Sequence, residues 1–141
     1  MIAVNRLSIE DARILIEGAQ QKAEQIGVPM CIAVTDDSGN LIAFERMNGG
    51  KAHSVYVSID KAYTAGSARK ATHEYNAANI PGNLAFGIHT ESGGRISTVG
   101  GGLPIFIDDQ CLGGIGASSG SPQQDMDVSQ AGLDHFLRSQ N

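Results

Sequence analysis

One stretch constrains the fold more than any other: Gly100-Gly101-Gly102-Leu103-Pro104-Ile105, continued by Phe106-Ile107-Asp108-Asp109-Gln110 and then Cys111-Leu112-Gly113-Gly114-Ile115-Gly116. Two apolar segments around Asp108-Asp109-Gln110 predict a β-hairpin, with strands near Leu103–Ile107 and Cys111–Ala117. Glycines inside the second strand mark a surface where another chain or a flat ligand lies close. The triple glycine is followed by a strand. A phosphate-cradling loop needs a helix amino terminus there, and the Lys-Ser/Thr ending of a nucleotide loop is also missing. The run therefore reads as a tight bend with close backbone packing, or as a ligand surface in the space the glycines leave. The second reading makes Gly100 and Gly101 candidate binding positions.

Helical segments surround this hairpin. Ser8 caps a helix whose apolar stripe is Ile9, Ala12, Ile16, Ala19, Ala23 and Ile26, stopped by Gly27 and Pro29. Met30–Thr35 and Leu41–Arg46 predict a second hairpin around Asp36-Asp37-Ser38-Gly39-Asn40. A further helix begins near Ala52–Ser54. Ala62, Ala65 and Gly66 let it lie close to a sheet, and Gly66 is a candidate bend or end. A short helix follows over Ser67–Asn76, and Arg95–Val99 is a candidate strand. Ser121-Pro122-Gln123-Gln124 opens the closing helix with a capping-box pattern. Hairpin-joined strands interleaved with helices define an α+β class with a mostly antiparallel sheet. With no linker or repeat, residues 1–141 read as one domain.

Charge narrows the partners. The net charge is −5, and the ten basic residues are scattered, which disfavours nucleic acid and anionic membrane. No stretch approaches the ~20 apolar residues of a membrane span, and the first residues lack signal-peptide features. The expected location is cytoplasmic. Cys31 and Cys111 sit in apolar strand-like segments and read as buried free thiols.

Four segments in order carry a resemblance: Asp37-Ser38-Gly39-Asn40-Leu41 with Arg46-Met47-Asn48-Gly49, Lys61-Ala62-Tyr63-Thr64-Ala65, the Gly100–Ile105 block, and Gly113-Gly114-Ile115-Gly116. Together they resemble the GlcG/HbpS family, which includes the C-terminal domain of PduO-type proteins. The resemblance spans about residues 6 to 137. It implies a profilin-like fold, a five-stranded antiparallel sheet with helices packed around it, and a homo-oligomer. It also implies haem as the candidate cofactor, since some members bind haem. Tyr75–Arg95 carries no family motif, so this segment is where the ligand is expected to be decided.

Of the four histidines, His89 is the first candidate iron ligand, flanked by glycine and mildly apolar residues. In an extended segment His89 and Glu91 would share a side. His53, His73 and His135 have ordinary helical roles available. No HxH or HxxxH pair supports a zinc site. Met30 and Met47 are alternative haem ligands whose simpler use is packing. Arg95, after two glycines, is the preferred anion contact, for a haem propionate or a small carboxylate; Arg46 and Lys51 are alternatives. The carboxylate pairs Asp36-Asp37 and Asp108-Asp109 are explained by turn chemistry, and no serine or cysteine has the context of a nucleophile. Three functions fit: a small-ligand binder, with haem or another tetrapyrrole as ligand; an enzyme acting on a small carboxylate or carbonyl metabolite; and an accessory or scaffold protein of a catabolic enzyme.

Overall fold

The computed structural model describes all of residues 1–141. Helix α1 (Ile9–Ile26) starts at a reciprocal cap, in which Ser8 Oγ accepts from the Asp11 amide and the Asp11 carboxylate accepts from the Ser8 amide. It ends on Gly27 in the left-handed region, φ 71°. Strands β1 (Cys31–Asp36) and β2 (Leu41–Arg46) form the expected hairpin. Asp36 Oδ1 closes its turn by accepting from the amides of Ser38 and Asn40, both at 2.9 Å.

Helix α2 (Ser54–Ala68) is longer than Gly66 alone suggested, and the break before α3 (Thr72–Ala78) falls at Arg69, φ 58°. Gly66 does not end the helix because its role is contact. A Cβ there would stand 2.8 Å from the Gly114 nitrogen and from Thr35 Oγ1. A 3-10 turn (Ile88–Thr90) runs into the single turn α4 (Glu91–Gly94). Strands β3 (Gly102–Ile107) and β4 (Gln110–Ser118) form the second hairpin, and α5 (Pro122–Ser139) closes the chain on the capping box of Ser121 and Gln124.

The sheet has four strands in the order β2-β1-β4-β3, all antiparallel, and not the five expected. The candidate fifth strand, Arg95–Val99, satisfies its backbone through two buried threonine hydroxyls instead of a ladder. Thr64 Oγ1 accepts from the Ser97 amide at 2.9 Å, and its one proton is shared between the Asp60 carbonyl at 2.8 Å and the Arg95 carbonyl at 3.2 Å. Thr72 Oγ1 donates to the Val99 carbonyl and accepts from the Gly102 amide, at 2.6 and 3.0 Å. The segment thus becomes a strap laced to α2 and α3. Pro104, which has no amide to give a ladder, lies on the edge strand β3.

Strand alternation divides the core. Ile32, Val34 and Ile115 join Leu15, Ile16 and Ala19 of α1 and Val128 and Phe136 of α5 in one apolar cluster. On the other face β4 is stripped to glycine so that α2 lies directly on it. A Cβ at Gly116 would meet the Ser58 carbonyl and the Ala62 nitrogen, and one at Gly114 the Ala62 carbonyl. Into this tight layer α2 inserts Lys61, 1% exposed. Its Nζ donates to Asp125 Oδ2 at 2.9 Å and to the Ala117 carbonyl at 3.0 Å. Asp125 Oδ1 in turn accepts from the Gly120 amide at 3.0 Å. Desolvation pulls the lysine below its ordinary value of 10.5, with Asp125 opposing through its charge and hydrogen bond.

Candidate functional site

Helix α2 and the strap enclose a cleft of about 330 Å3 lined by Val57, Asp60, His89, Arg95, Ser97 and Val99 among others. The two leading site residues, His89 and Arg95, therefore meet in one place. The expected pairing of His89 with Glu91 does not form, because the segment coils into a 3-10 turn and not an extended piece. The imidazole is held by Asn79, whose amide nitrogen and oxygen lie 3.0 and 3.2 Å from Nδ1. With Nδ1 protonated and bonded to the Asn79 oxygen, Nε2 is left with a free lone pair, the arrangement that orients a metal-binding histidine. The Phe86 ring flanks it, tilted by 59°.

Arg95 is fixed on two sides. Its guanidinium carbon sits 3.9 Å from the centre of the Tyr63 ring, and its Nε donates to Asp60 Oδ1 at 3.3 Å. Asp60 and Tyr63 are partners that the sequence reading missed. Their spacing of three on a helix was the available signal, since it puts them on one face. Asn79, ten residues from His89, gave no local signal.

The glycines lie beside this cleft and not in it. Gly100 lines a neighbouring hollow of about 240 Å3 with His73, Asn76, Val99, Pro122 and Met126, and Val99 is the wall common to both. Gly101, φ 131°, packs over the buried ion pair, where a Cβ would stand 2.8 Å from Lys61 Nζ. The alternative anion contacts are elsewhere: Arg46 Nε donates to the Gly50 carbonyl at 2.8 Å, and the Lys51 amide is bonded to Ser119 Oγ at 3.0 Å. Met30 is fully buried in the core. His135 pairs with Glu17 across α1 and α5. Both cysteines are free and buried, and burial raises both thiols above their ordinary value.

No three His, Cys, Asp or Glu side chains converge as a metal-binding group. A single imidazole is a poor cage for a bare ion, but it is sufficient as an axial ligand to iron already held in a macrocycle. With Arg95 for a carboxylate and Val57, Ile96 and Val99 as apolar walls, the residues present fit that group.

Fold and cleft together define a small α+β domain that gathers an imidazole, a guanidinium and hydroxyls beside apolar walls. The chain belongs to the GlcG/HbpS family: the family model described as "Haem degrading protein HbpS-like" matches residues 7–134. It is 33% identical over 130 residues to an uncharacterized 15.0 kDa protein in the dhaT-dhaS intergenic region of Citrobacter freundii, covering 92% of each chain. It is also 33% identical over 127 residues to the corrinoid adenosyltransferase PduO of the same organism, covering 90% of this chain and only 38% of PduO. A crystal structure of a PduOC–haem complex superposes with a TM-score of 0.88 at 32% identity, covering 93% of this chain and 95% of that one. No helix is long and apolar enough to cross a membrane.

Proposed function

We propose that this protein binds haem, or a related tetrapyrrole, at the cleft between α2 and the strap, with His89 as axial ligand and Arg95 meeting a propionate. The observation that carries this reading is the convergence of His89 and Arg95 on one cleft. Membership of a family with a haem-bound structural relative supports the choice of ligand. Bound haem would supply an iron centre for redox or small-ligand chemistry, held by His89 and Arg95. Asn79 orients the imidazole, and Arg95 fixes the edge of the macrocycle. Phe86, whose ring flanks His89, is exposed, as are Ile80 and Leu84 earlier in the same segment, and they offer apolar surface to a bound ring or to a second copy in a homo-oligomer.

Titration with haem, followed by absorbance, tests the reading. The Soret band is expected to shift and sharpen on binding. His89→Ala should change the ligation signature and weaken affinity, while Arg95→Gln should weaken affinity and leave the ligation signature intact. A Soret spectrum unchanged at saturating protein removes the haem reading.

A further inference from the structure

We propose that the two terminal guanidinium nitrogens of Arg95 bind a carboxylate, and that Tyr63 and Asp60 hold the guanidinium ready for it. This deepens the reading of the α2–strap cleft as the ligand site and rests on it.

Three separate contacts fix Arg95 from α2. The Arg95 carbonyl lies 3.2 Å from Thr64 Oγ1, whose proton it shares with the Asp60 carbonyl. Its guanidinium face lies on the Tyr63 ring at 3.9 Å. Its Nε is bonded to Asp60. The Tyr63 ring lies over Gly39 in the β1–β2 turn, where an added Cβ would stand 3.3 Å from its edge. Both terminal nitrogens are left without a protein partner, on a side chain 46% exposed at the cleft. A guanidinium in this state offers parallel N–H groups that match the two oxygens of a carboxylate. Because the rotamer is already set, less side-chain freedom is lost when the anion arrives.

Asp60 separates this proposal from an ordinary surface ion pair. It makes one bond, to Nε, and so orients the fork without filling it. It also sets a negative charge beside the place an anion would occupy. Asp60→Asn keeps an acceptor for Nε and removes the charge, so carboxylate affinity is expected to rise by about three- to tenfold at low salt. Tyr63→Leu removes the platform, and affinity is expected to fall several-fold.

The carboxylate has two possible sources, a haem propionate or a small free organic acid, and the experiment separates them. Wild type and the Arg95→Gln, Asp60→Asn and Tyr63→Leu variants, each checked by circular dichroism, are titrated calorimetrically with propionate and lactate, with propionamide as the neutral control. The same proteins are titrated with haem and with haem dimethyl ester. Supporting results are an Arg95-dependent preference of at least about tenfold for haem over its ester, or Arg95-dependent binding of the free acids but not the amide. Free acids bound while haem leaves the spectrum unchanged would remove the haem reading and sustain this one. Haem and its ester bound equally, with no free acid bound, would overturn this proposal and leave the haem reading standing. Carboxylate affinity that falls in a folded Asp60→Asn variant would overturn the assigned role of Asp60.

Discussion

Replacing Asp125 by Asn tests the account of how α2, the glycine block and α5 are joined. The substitution preserves shape and leaves an oxygen for the Gly120 amide, so its main effect is to strip the countercharge from Lys61. Lys61 and Asp125 are 1% and 4% exposed at their side chains, too deep for water to replace the lost partner. Breaking such a pair from one side costs ~3–5 kcal/mol, a large share of the ~5–15 kcal/mol that holds a domain of this size. With an unfolding entropy of ~2.1 cal/mol/K per residue over 141 residues, that loss lowers Tm by ~10–17 °C. The pH dependence adds a second check. The folded-state pKa of Lys61 lies below 10.5, so the unfolded chain binds more protons between that pKa and 10.5, and stability rises with pH across this window. Asp125→Asn removes both influences that raise the pKa, pushing it lower and widening the window. The deficit of the variant should therefore be largest near neutrality and shrink as pH rises toward 10. Replacing both partners, Lys61→Met with Asp125→Leu, should recover part of the loss, since the Ala117 carbonyl loses its donor and the Gly120 amide its acceptor, at about 1 kcal/mol or more each. Urea denaturation of the three proteins at several pH values reads these differences. An Asp125→Asn variant within about 0.5 kcal/mol of wild type at neutral pH, with the same pH profile, would refute the reasoning.

Three further outcomes are expected. Thr64→Val is nearly isosteric but removes the acceptor of the Ser97 amide and the donor to the Arg95 carbonyl; it should cost ~1–3 kcal/mol and speed hydrogen exchange at Ser97, and unchanged exchange there would argue against the lacing of the strap. Gly66→Ala puts a Cβ 2.8 Å from the Gly114 nitrogen, so α2 must lift from β4; a loss of ~1–3 kcal/mol in chemical denaturation is expected despite the better helix propensity of Ala. Cys31 and Cys111 are buried, with thiols raised by burial, so a thiol reagent at pH 8 should label neither in the native protein and both after denaturation, whereas rapid native labelling would contradict the packing of β1 and β4.

Where the sequence was legible, local chemistry set the structure. Ser8 and Ser121 start helices as their caps predict, Gly27 stops one, and β2 spans Leu41–Arg46 as its pattern indicates. Where it misled, long-range contacts took over. Gly66 looked like a helix breaker and is a contact point for β4 across the sheet interface. Arg95–Val99 has the composition of a strand, but its hydrogen bonds go to Thr64 and Thr72, 31 and 27 residues away. The site followed the same division. His89 and Arg95 could be picked out by residue type. Asn79, Asp60 and Tyr63, which orient them, became visible only when the fold brought them together.

Helix α2 builds the core and the cleft at once. Over one turn it sends Asp60 to the Nε of Arg95, Lys61 inward to Asp125, Tyr63 under the guanidinium, and Thr64 to the strap backbone. These positions alternate between faces because successive residues of a helix are rotated by about 100°. The glycines of β4 fix the depth of that helix, since Gly114 and Gly116 leave no room for any other residue beneath it. Depth in turn determines whether Lys61 reaches Asp125 and whether Asp60 and Tyr63 stand at the height of the strap. The glycine-rich hairpin therefore acts on the proposed ligand site without lining the cleft. It sets the height of the helix from which Arg95 is positioned, while the coiled segment holding His89 supplies the opposite wall.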